Sequence, residues 1–580
     1  MCGVHGFNWK KPEQLKKMIY ESHSRGPDEN GEYYDSHISI GHNLLAITER
    51  SSVSKQPINY NSRFVLSYNG EIYNYKKLKD SMPSVNFKTD SDTEVLYHGL
   101  RLHGQDFIKK LDGMYAICWY DKQENTLLLA RDTSGVKPLY YSHKNLEYIA
   151  FSSSIKSLQK LNLDGCRKLD PYGFELYMSF GYVPGNRTCI KGIQKLYPGQ
   201  VIVFDTSTSE VLDSYHTHVK PEKIEDFSLE QFSDNVSSVV KSCLMGRRNI
   251  GLFLSGGLDS CMILHEARKH IPSLKTFTTR FDCPENENQK INSDADAAKK
   301  LAGLYNSDHT ELLVTRKNFI SAIEPCIEAL EEPRYNRSSP AYYLLNKLMS
   351  EQGIVVTLSG DGGDEVFTGY PRHCKFLNSF ASGDTQRKTK DCKSPIKCFH
   401  NLTKFSIPYN SMSPRKQQGY YSFIPQECFP EEAVNAELFV ESMMHLPEDY
   451  LIRNDKLGMN FSMEGRFPFT VPSFKNYCLG IPSSHKFVNN NEPKRIPKTA
   501  YKDKLPDFIT NKFKTGWAVA PSWFSSKEFK NYQKEVFSKD YHRHTNRLFN
   551  LNFLSSSTKL KSTLTPFYFR VWAQKFNITL

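Results

Sequence analysis

Leu254-Ser255-Gly256-Gly257-Leu258-Asp259-Ser260 is the stretch that decides how most of this 580-residue chain is built. The apolar run Ile250-Gly251-Leu252-Phe253-Leu254 leads into it and reads as a strand, and the stretch from Cys261 to Lys269 reads as a helix. Glycines at a strand-to-helix junction let backbone N–H groups approach a phosphate, and the helix N-terminus adds positive potential. The hydroxyls of Ser255 and Ser260 add donors. Asp259 is acidic where an anion would sit, which makes sense only with a metal between them. Mg²⁺ fits, because it is held by one or two carboxylates plus substrate phosphates. No Gly-Lys-Ser/Thr follows, so this is not a Walker A loop.

A second apolar run, Ile354-Val355-Val356-Thr357-Leu358, leads into Ser359-Gly360-Asp361-Gly362-Gly363-Asp364-Glu365-Val366-Phe367-Thr368-Gly369-Tyr370. Repeated strand, glycine loop and helix predict a parallel α/β sheet. Asp364 is the expected second metal carboxylate. The polar stretch from about 375 to 450 reads as an irregular insertion on this core.

Upstream the rhythm differs. Phe64-Val65-Leu66-Ser67-Tyr68, Tyr115-Ala116-Ile117-Cys118-Trp119-Tyr120, Thr126-Leu127-Leu128-Leu129-Ala130 and Gln200-Val201-Ile202-Val203-Phe204 read as strands, with Asn69-Gly70 and Asp112-Gly113 as turn signals. Residues 1 to about 205 are therefore expected to be sheet-rich, and the polar stretch from about 206 to 228 reads as a linker. A chain of this length exceeds one core and predicts at least two domains. Hydrophobic content of 39% and charged content of 24% are ordinary for a globular protein. No apolar run is long enough to cross a membrane, and the first residues lack a secretory signal pattern. Thirteen dispersed cysteines without zinc spacing read as free thiols, so a cytoplasmic protein is expected. The net charge of +12 is spread along the chain without a dense basic block, so nucleic acid is not expected as a partner.

Cys2 stands behind the initiator Met1. Removal of Met1 would leave a thiol beside its own α-amine, whose pKa lies near 7.7–8.0, roughly. Such an amine serves as the local base, and the nucleophile then needs no histidine. A second-position cysteine alone carries little weight, but the segments downstream change the reading. They are His23-Ser24-Arg25-Gly26-Pro27-Asp28, Tyr68-Asn69-Gly70-Glu71-Ile72-Tyr73-Asn74, Thr89-Asp90-Ser91-Asp92-Thr93-Glu94 and the run from Ala130 to Tyr141. In this order they resemble a class II glutamine amidotransferase domain. With the two glycine loops, with Asn454-Asp455-Lys456-Leu457-Gly458-Met459 and Met463-Glu464-Gly465-Arg466-Phe467-Pro468-Phe469, and with Pro493-Lys494-Arg495, the chain resembles the glutamine-hydrolysing asparagine synthetase family over nearly its whole length. The match continues into Lys512-Phe513-Lys514-Thr515-Gly516-Trp517.

The resemblance implies mixed α/β and α+β architecture. An Ntn-hydrolase αββα sandwich over 1–216 would precede a parallel α/β domain of the PP-loop, adenine-nucleotide α-hydrolase-like kind over 217–580. It implies Cys2 as nucleophile, Asn69 and Gly70 as oxyanion donors, and Asp361 and Lys494 as catalytic groups of the synthetase half. Glutamine would be bound by Arg25, Leu44, Leu45, Ala46, Ile47, Thr48, Asn69, Gly70, Glu71 and Asp92. ATP would lie against Phe253, Leu254, Ser255, Gly256, Gly257, Asp259, Ser260, Thr279, Ser359 and Gly360, with Mg²⁺ on Asp259 and Asp364. The implied reaction adenylates an acceptor carboxylate, releases pyrophosphate, and displaces AMP with ammonia from L-glutamine. A homodimer is left open.

Two departures bear on substrates. Leu44 stands where the family carries an arginine for the glutamine carboxylate, with Arg50 a substitute from the next turn. The strip Tyr335-Asn336-Arg337-Ser338-Ser339-Pro340-Ala341-Tyr342 has Asn336 where aspartate users carry arginine, and Phe469-Thr470-Val471 lacks an aspartate. Aspartate is the first expected acceptor. A sugar carboxylate converted to a uronamide in surface-polysaccharide synthesis is the alternative, and a non-catalytic regulator retaining the fold is the rival of another class.

Overall fold

The computed structural model describes residues 2–48, 55–370, 373, 428, 430, 432–486, 493–512, 518–538 and 561–579. The N-terminal strands are β1 (Gly3–Phe7), β2 (Glu29–Tyr34), β3 (Ser39–Leu44), β4 (Phe64–Ile72), β5 (Gly113–Asp121), β6 (Thr126–Arg131), β7 (Tyr140–Lys144) and β8 (Tyr148–Ser152). They continue with β9 (Gln194–Lys195), β10 (Gln200–Asp205) and β11 (Val211–His216). All pair antiparallel, in two sheets ordered β2-β3-β1-β8-β7-β9 and β11-β10-β6-β5-β4.

Side chains alternate across a strand, so each sheet presents two faces. Val4, Ile40 and Phe151 of the first sheet pack against Val65, Cys118, Leu127, Leu129 and Phe204 of the second. The outer face of the first sheet takes α1 (Pro12–Glu21) through Leu15, Met18 and Ile19. The outer face of the second takes α2 (Asp92–His103) through Val95, Leu96 and Leu100. Helix, two sheets and helix make the expected αββα sandwich. The strand runs read from the sequence all lie in β4, β5, β6 and β10. The expected linker needs correction: β11 occupies Val211–His216 and pairs with β10. It is an edge strand with four exposed residues in succession, so the apolar alternation that marks a strand is missing.

His5 shows how β1 is locked. Ser152 Oγ and Asn43 Oδ1 lie 2.8 Å from its two ring nitrogens. The Asn43 amide N–H₂ is already committed to the Ile19 carbonyl and Asn30 Oδ1, so Asn43 Oδ1 must accept from a protonated Nε2. Nδ1 then accepts from Ser152. Burial pushes this imidazole down to about 4. A histidine depressed on folding supplies stability that is whole above its ordinary value near 6.5. That stability is lost as pH falls toward 4, by about 3 kcal/mol at about 1.4 kcal/mol per pH unit. His5→Gln should therefore lose less stability than the parent between pH 7 and pH 4 in urea unfolding, and equal losses would refute the assignment.

The second sheet system is parallel throughout. Strands β12 (Ile250–Phe253), β13 (Lys275–Phe281), β14 (Asp308–Val314), β15 (Val356–Leu358) and β16 (Glu464–Arg466) are ordered β14-β13-β12-β15-β16. One face is covered by α3 (Leu258–Ala267) and its neighbours, the other by α4 (Ser339–Glu351). From β12 the chain first builds outward through β13 and β14, then returns to place β15 on the other side. The loops after β12 and β15 therefore flank a topological switch point, where open α/β sheets bind ligands.

The expected insertion also needs correction. Its described end is regular and buried: α5 (Ala433–His445) runs into a π-helical turn at Leu446–Leu451 and then α6 (Ile452–Met459). Leu438, Phe439, Met443 and Met444 enter a core cluster shared with both halves of the chain. The rest of that segment, 374–427, lies outside the described residues.

Candidate active sites

Cys2 is buried just before β1, and its backbone N–H donates to Asn69 Oδ1 across 2.8 Å. Asn69 lies on β4 of the facing sheet. With Oδ1 turned to Cys2, the Asn69 amide nitrogen points away, fully buried and without a hydrogen-bond partner. An unmet buried donor costs about 1–3 kcal/mol. A carbonyl oxygen gaining negative charge is the partner that would satisfy it. Gly70 follows, where a Cβ would run into the Met114 carbonyl and come within 2.8 Å of Tyr115 Cα. Burial pushes the Cys2 thiol up, and the Leu45 backbone N–H works against that rise.

The Leu44–Thr48 segment leaves β3 along the seam between the two halves. Leu45 and Ile47 pack with Val356 and Met459, and the Ile47 carbonyl accepts from Arg247 N–H at 3.0 Å. Asp28 Oδ2 accepts from Ala46 N–H at 2.9 Å and stands 3.7 Å from Arg248 Nη2. Arg248 thus approaches the segment that Leu44 opens, and Arg50 lies outside the described residues. Asp92 is buried at the start of α2, where its Oδ2 accepts from the Tyr68 hydroxyl and Ile72 N–H, both at 3.0 Å. Burial pushes its carboxyl up.

Arg25 and Glu71 each reach into the other domain. Arg25 donates to Asp455 Oδ2 on α6 at 2.9 Å and, through Nε, to the Cys2 carbonyl at 3.2 Å. Glu71 Oε1 stands 3.2 Å from Arg466 Nη2, and Arg466 Nε donates to Glu464 at 2.6 Å. Burial and the Glu464 charge push Glu71 well up. Burial also opposes ionisation of Glu464, yet Arg466 and Lys137 help hold it down to about 2. Removing one member of a fully buried pair strands the other charge, at a cost of about 3–5 kcal/mol. Asp455→Ala is therefore expected to lower unfolding stability by that amount, and an unchanged denaturation midpoint would contradict the pairing with Arg25.

At the switch point, Gly256 takes φ +68, and a Cβ there would meet Ala298 N at 2.9 Å, so only glycine suits this position. Ser255 and Ser260 hydroxyls lie 3.0 Å apart, and Lys512 Nζ donates to the Gly256 carbonyl at 3.2 Å. Leu254 N–H donates to Phe277 O on β13, the strand that carries buried Thr279 two residues on. Phe253 closes the end of β12 against Tyr342, ring centres 4.9 Å apart. In the second loop, Ser359 Oγ donates to Asp361 Oδ2 at 2.6 Å beside Gly360.

The two loops meet on Lys494. Its ammonium bridges Asp259 Oδ2 and Asp364 Oδ1, the latter at 2.7 Å, and the two carboxylates hold it firmly protonated against burial. Lys494 takes φ +59, a left-handed conformation costing a side-chain-bearing residue about 1–2 kcal/mol. Thr368, in the second loop, is likewise left-handed at φ +60. The packing is close enough that a Cβ on Gly363 would stand 2.7 Å from Asp259 Cγ. Asp259 and Asp364, which already share one cation, would hold a hard divalent ion that neutralises phosphate charge.

Sequence reasoning singled out no roles for Asn454, Asp455, Glu464 or Arg466. The available signal was the run Arg453-Asn454-Asp455-Lys456, four polar residues that are all buried in α6. Elsewhere across the seam, Glu448 binds Lys195 at 2.6 Å and lies 3.5 Å from Arg131, and Lys456 Nζ donates to the Ser153 carbonyl at 3.1 Å.

Known proteins resemble both halves of the chain. Residues 1–216 match a glutamine amidotransferase domain and residues 231–567 match asparagine synthase. Asparagine synthetase [glutamine-hydrolyzing] 1 of Bacillus subtilis is 26% identical, over 92% of this chain and 90% of that protein. A putative asparagine synthetase [glutamine-hydrolyzing] 2 of Methanocaldococcus jannaschii is 30% identical, over 64% of this chain and 76% of its own length. A solved glutamine phosphoribosylpyrophosphate amidotransferase from B. subtilis covers 47% of this chain and 65% of its own, at 17% identity and a TM-score of 0.28, too low to argue from. Matched by asparagine synthase over residues 231–567, more than half its length, the chain belongs to the asparagine synthase family.

Proposed function

We propose that the chain amidates a carboxylate, aspartate before other candidates, using ATP and the amide nitrogen of L-glutamine. The observation that carries this reading is the meeting of Asp259 and Asp364, from separate loops at a switch point, on the ammonium of Lys494. In the glutaminase half, Cys2 becomes the amino-terminal residue and its α-amine takes the thiol proton. The thiolate attacks the glutamine amide, Asn69 Nδ2 and Gly70 N–H hold the developing oxyanion, and ammonia leaves behind a glutamyl thioester that water cleaves. Asp92 pairs with the glutamine ammonium.

In the synthetase half, the backbone of Ser255–Ser260 and the start of α3 cradle the phosphates of ATP. Mg²⁺ on Asp259 and Asp364 would neutralise charge on the phosphates. The acceptor carboxylate attacks the α-phosphorus, pyrophosphate departs against Lys494, and an acyl-adenylate remains. Ammonia then displaces AMP, while burial at the seam keeps out the water that would hydrolyse the adenylate.

A cytoplasmic location belongs to the same proposal, and the ten described cysteines are all free thiols. No helix among the described residues is long and apolar enough to cross a membrane. The test is a screen of carboxylates, aspartate and uronate sugars included, scored by pyrophosphate release that requires both ATP and glutamine. Release with aspartate supports the reading, release with a uronate alone would move it to uronamide formation, and release with none would leave a non-catalytic protein.

A further inference from the structure

Asn454 lies on α6, where its amide nitrogen donates to Asp361 Oδ2 at 2.6 Å. Asp361 Oδ2 also accepts from Ser359, so both bonds fall on one oxygen of that carboxylate. A carboxylate offers only acceptors, so the donor end of the Asn454 amide must face it. The other end, Oδ1, is thereby turned away from Asp361. It is buried, with no hydrogen-bond partner, in a side chain only 3% exposed. A buried amide oxygen with no donor is costly. The next residue on the helix, Asp455, binds Arg25, and Arg25 donates to the Cys2 carbonyl. One step of helix thus separates a group touching the glutaminase centre from a group touching the acyl-transfer carboxylate.

Resting on the function proposed above, we propose that Asn454 receives ammonia arriving from the Cys2 side, its Oδ1 accepting an ammonia N–H beside Asp361. The ligand is a small neutral hydrogen-bond donor with a lone pair, and Asn454 orients that lone pair toward the adenylate. In the step served, the ammonia nitrogen forms a bond to the acyl carbon, the bond from that carbon to the AMP phosphate oxygen breaks, and AMP leaves with the electron pair. The proton lost from nitrogen passes to Asp361. An amide nitrogen already bound to Asp361 keeps Asn454 from rotating its oxygen away.

The experiment compares the parent with Asn454→Ala and Asn454→Ser, using the full chain and ammonium chloride as the nitrogen source. Three quantities are read: the KM for ammonium, the amide formed per pyrophosphate released, and acceptor-dependent exchange of labelled pyrophosphate into ATP. Glutaminase activity reports that each variant is folded. The expected result is a rise of about tenfold or more in ammonium KM with Asn454→Ala. Amide per pyrophosphate should fall as water takes the adenylate, exchange should stay near the parent rate, and Asn454→Ser should recover part of the loss. Parental ammonium KM and amide yield in both variants would overturn the proposal. So would a loss of exchange equal to the loss of amidation, since that would make Asn454 only a support for Asp361. A parent that exchanges pyrophosphate with no carboxylate would instead sink the functional reading beneath it.

Discussion

Cys2→Ala is expected to abolish glutamine-dependent amidation, by about three orders of magnitude or more, while amidation from ammonium chloride continues near the parental rate. Removing a covalent nucleophile can cost up to about 10⁶ in turnover. Confinement of the loss to one nitrogen source follows from the architecture. Cys2 touches Asn69 and Arg25, whereas the residues proposed to hold ATP sit on loops after β12 and β15 of the other sheet system. The Cys2 side chain is small, and alanine keeps the backbone N–H that holds Asn69 Oδ1. The oxyanion geometry therefore survives, and glutamine should still bind. Comparing pyrophosphate release from the two nitrogen sources checks the expectation, and equal loss with both would mean the halves do not work as separate centres. Intact-mass measurement should also find Cys2 as the first residue. A retained Met1 would block the α-amine that the mechanism uses as base.

Asp259→Asn is expected to have the reciprocal effect. Adenylation should fall by about 10²–10³, the range for losing one electrostatic contact to a reacting centre, while glutaminase activity persists. Asparagine keeps the size of the side chain but removes the charge that Lys494 and a divalent cation both need. Lys494 would then hold Asp364 alone, and its ammonium, buried beside the loop, would lose one of the two carboxylates that keep it charged. Pyrophosphate exchange and glutamate production, measured on the same preparation, separate the two activities. If exchange survives, Asp259 has no part in ATP cleavage.

The glycine loops were legible because their chemistry is local: a strand, a turn that only glycine fits at Gly256, and a helix start are neighbours in the chain. The strands of the sandwich were legible for the same reason, since Phe64–Tyr68 is apolar but for Ser67 and Leu127–Ala130 is a continuous apolar run. β11 was not, because an exposed edge strand has no apolar face to show. The stretch from Ala433 to Leu451 was hidden differently, whereas Asn454 to Met459 was marked by its motif. The buried polar residues here, Glu448 and Arg453 to Lys456, show no role until their partners are known. Those partners, Lys195, Arg25 and Glu331 among them, lie more than a hundred residues away in the chain. Asn69 marked the glutaminase site through its motif, but only the geometry shows its amide nitrogen waiting without a partner.

The most direct measurement follows products when the parent protein is given ATP, aspartate and glutamine together. Equimolar AMP, pyrophosphate and glutamate are expected alongside asparagine, with no pyrophosphate when the acceptor is left out. Formation of ADP and phosphate in place of AMP and pyrophosphate would contradict adenylation of the acceptor.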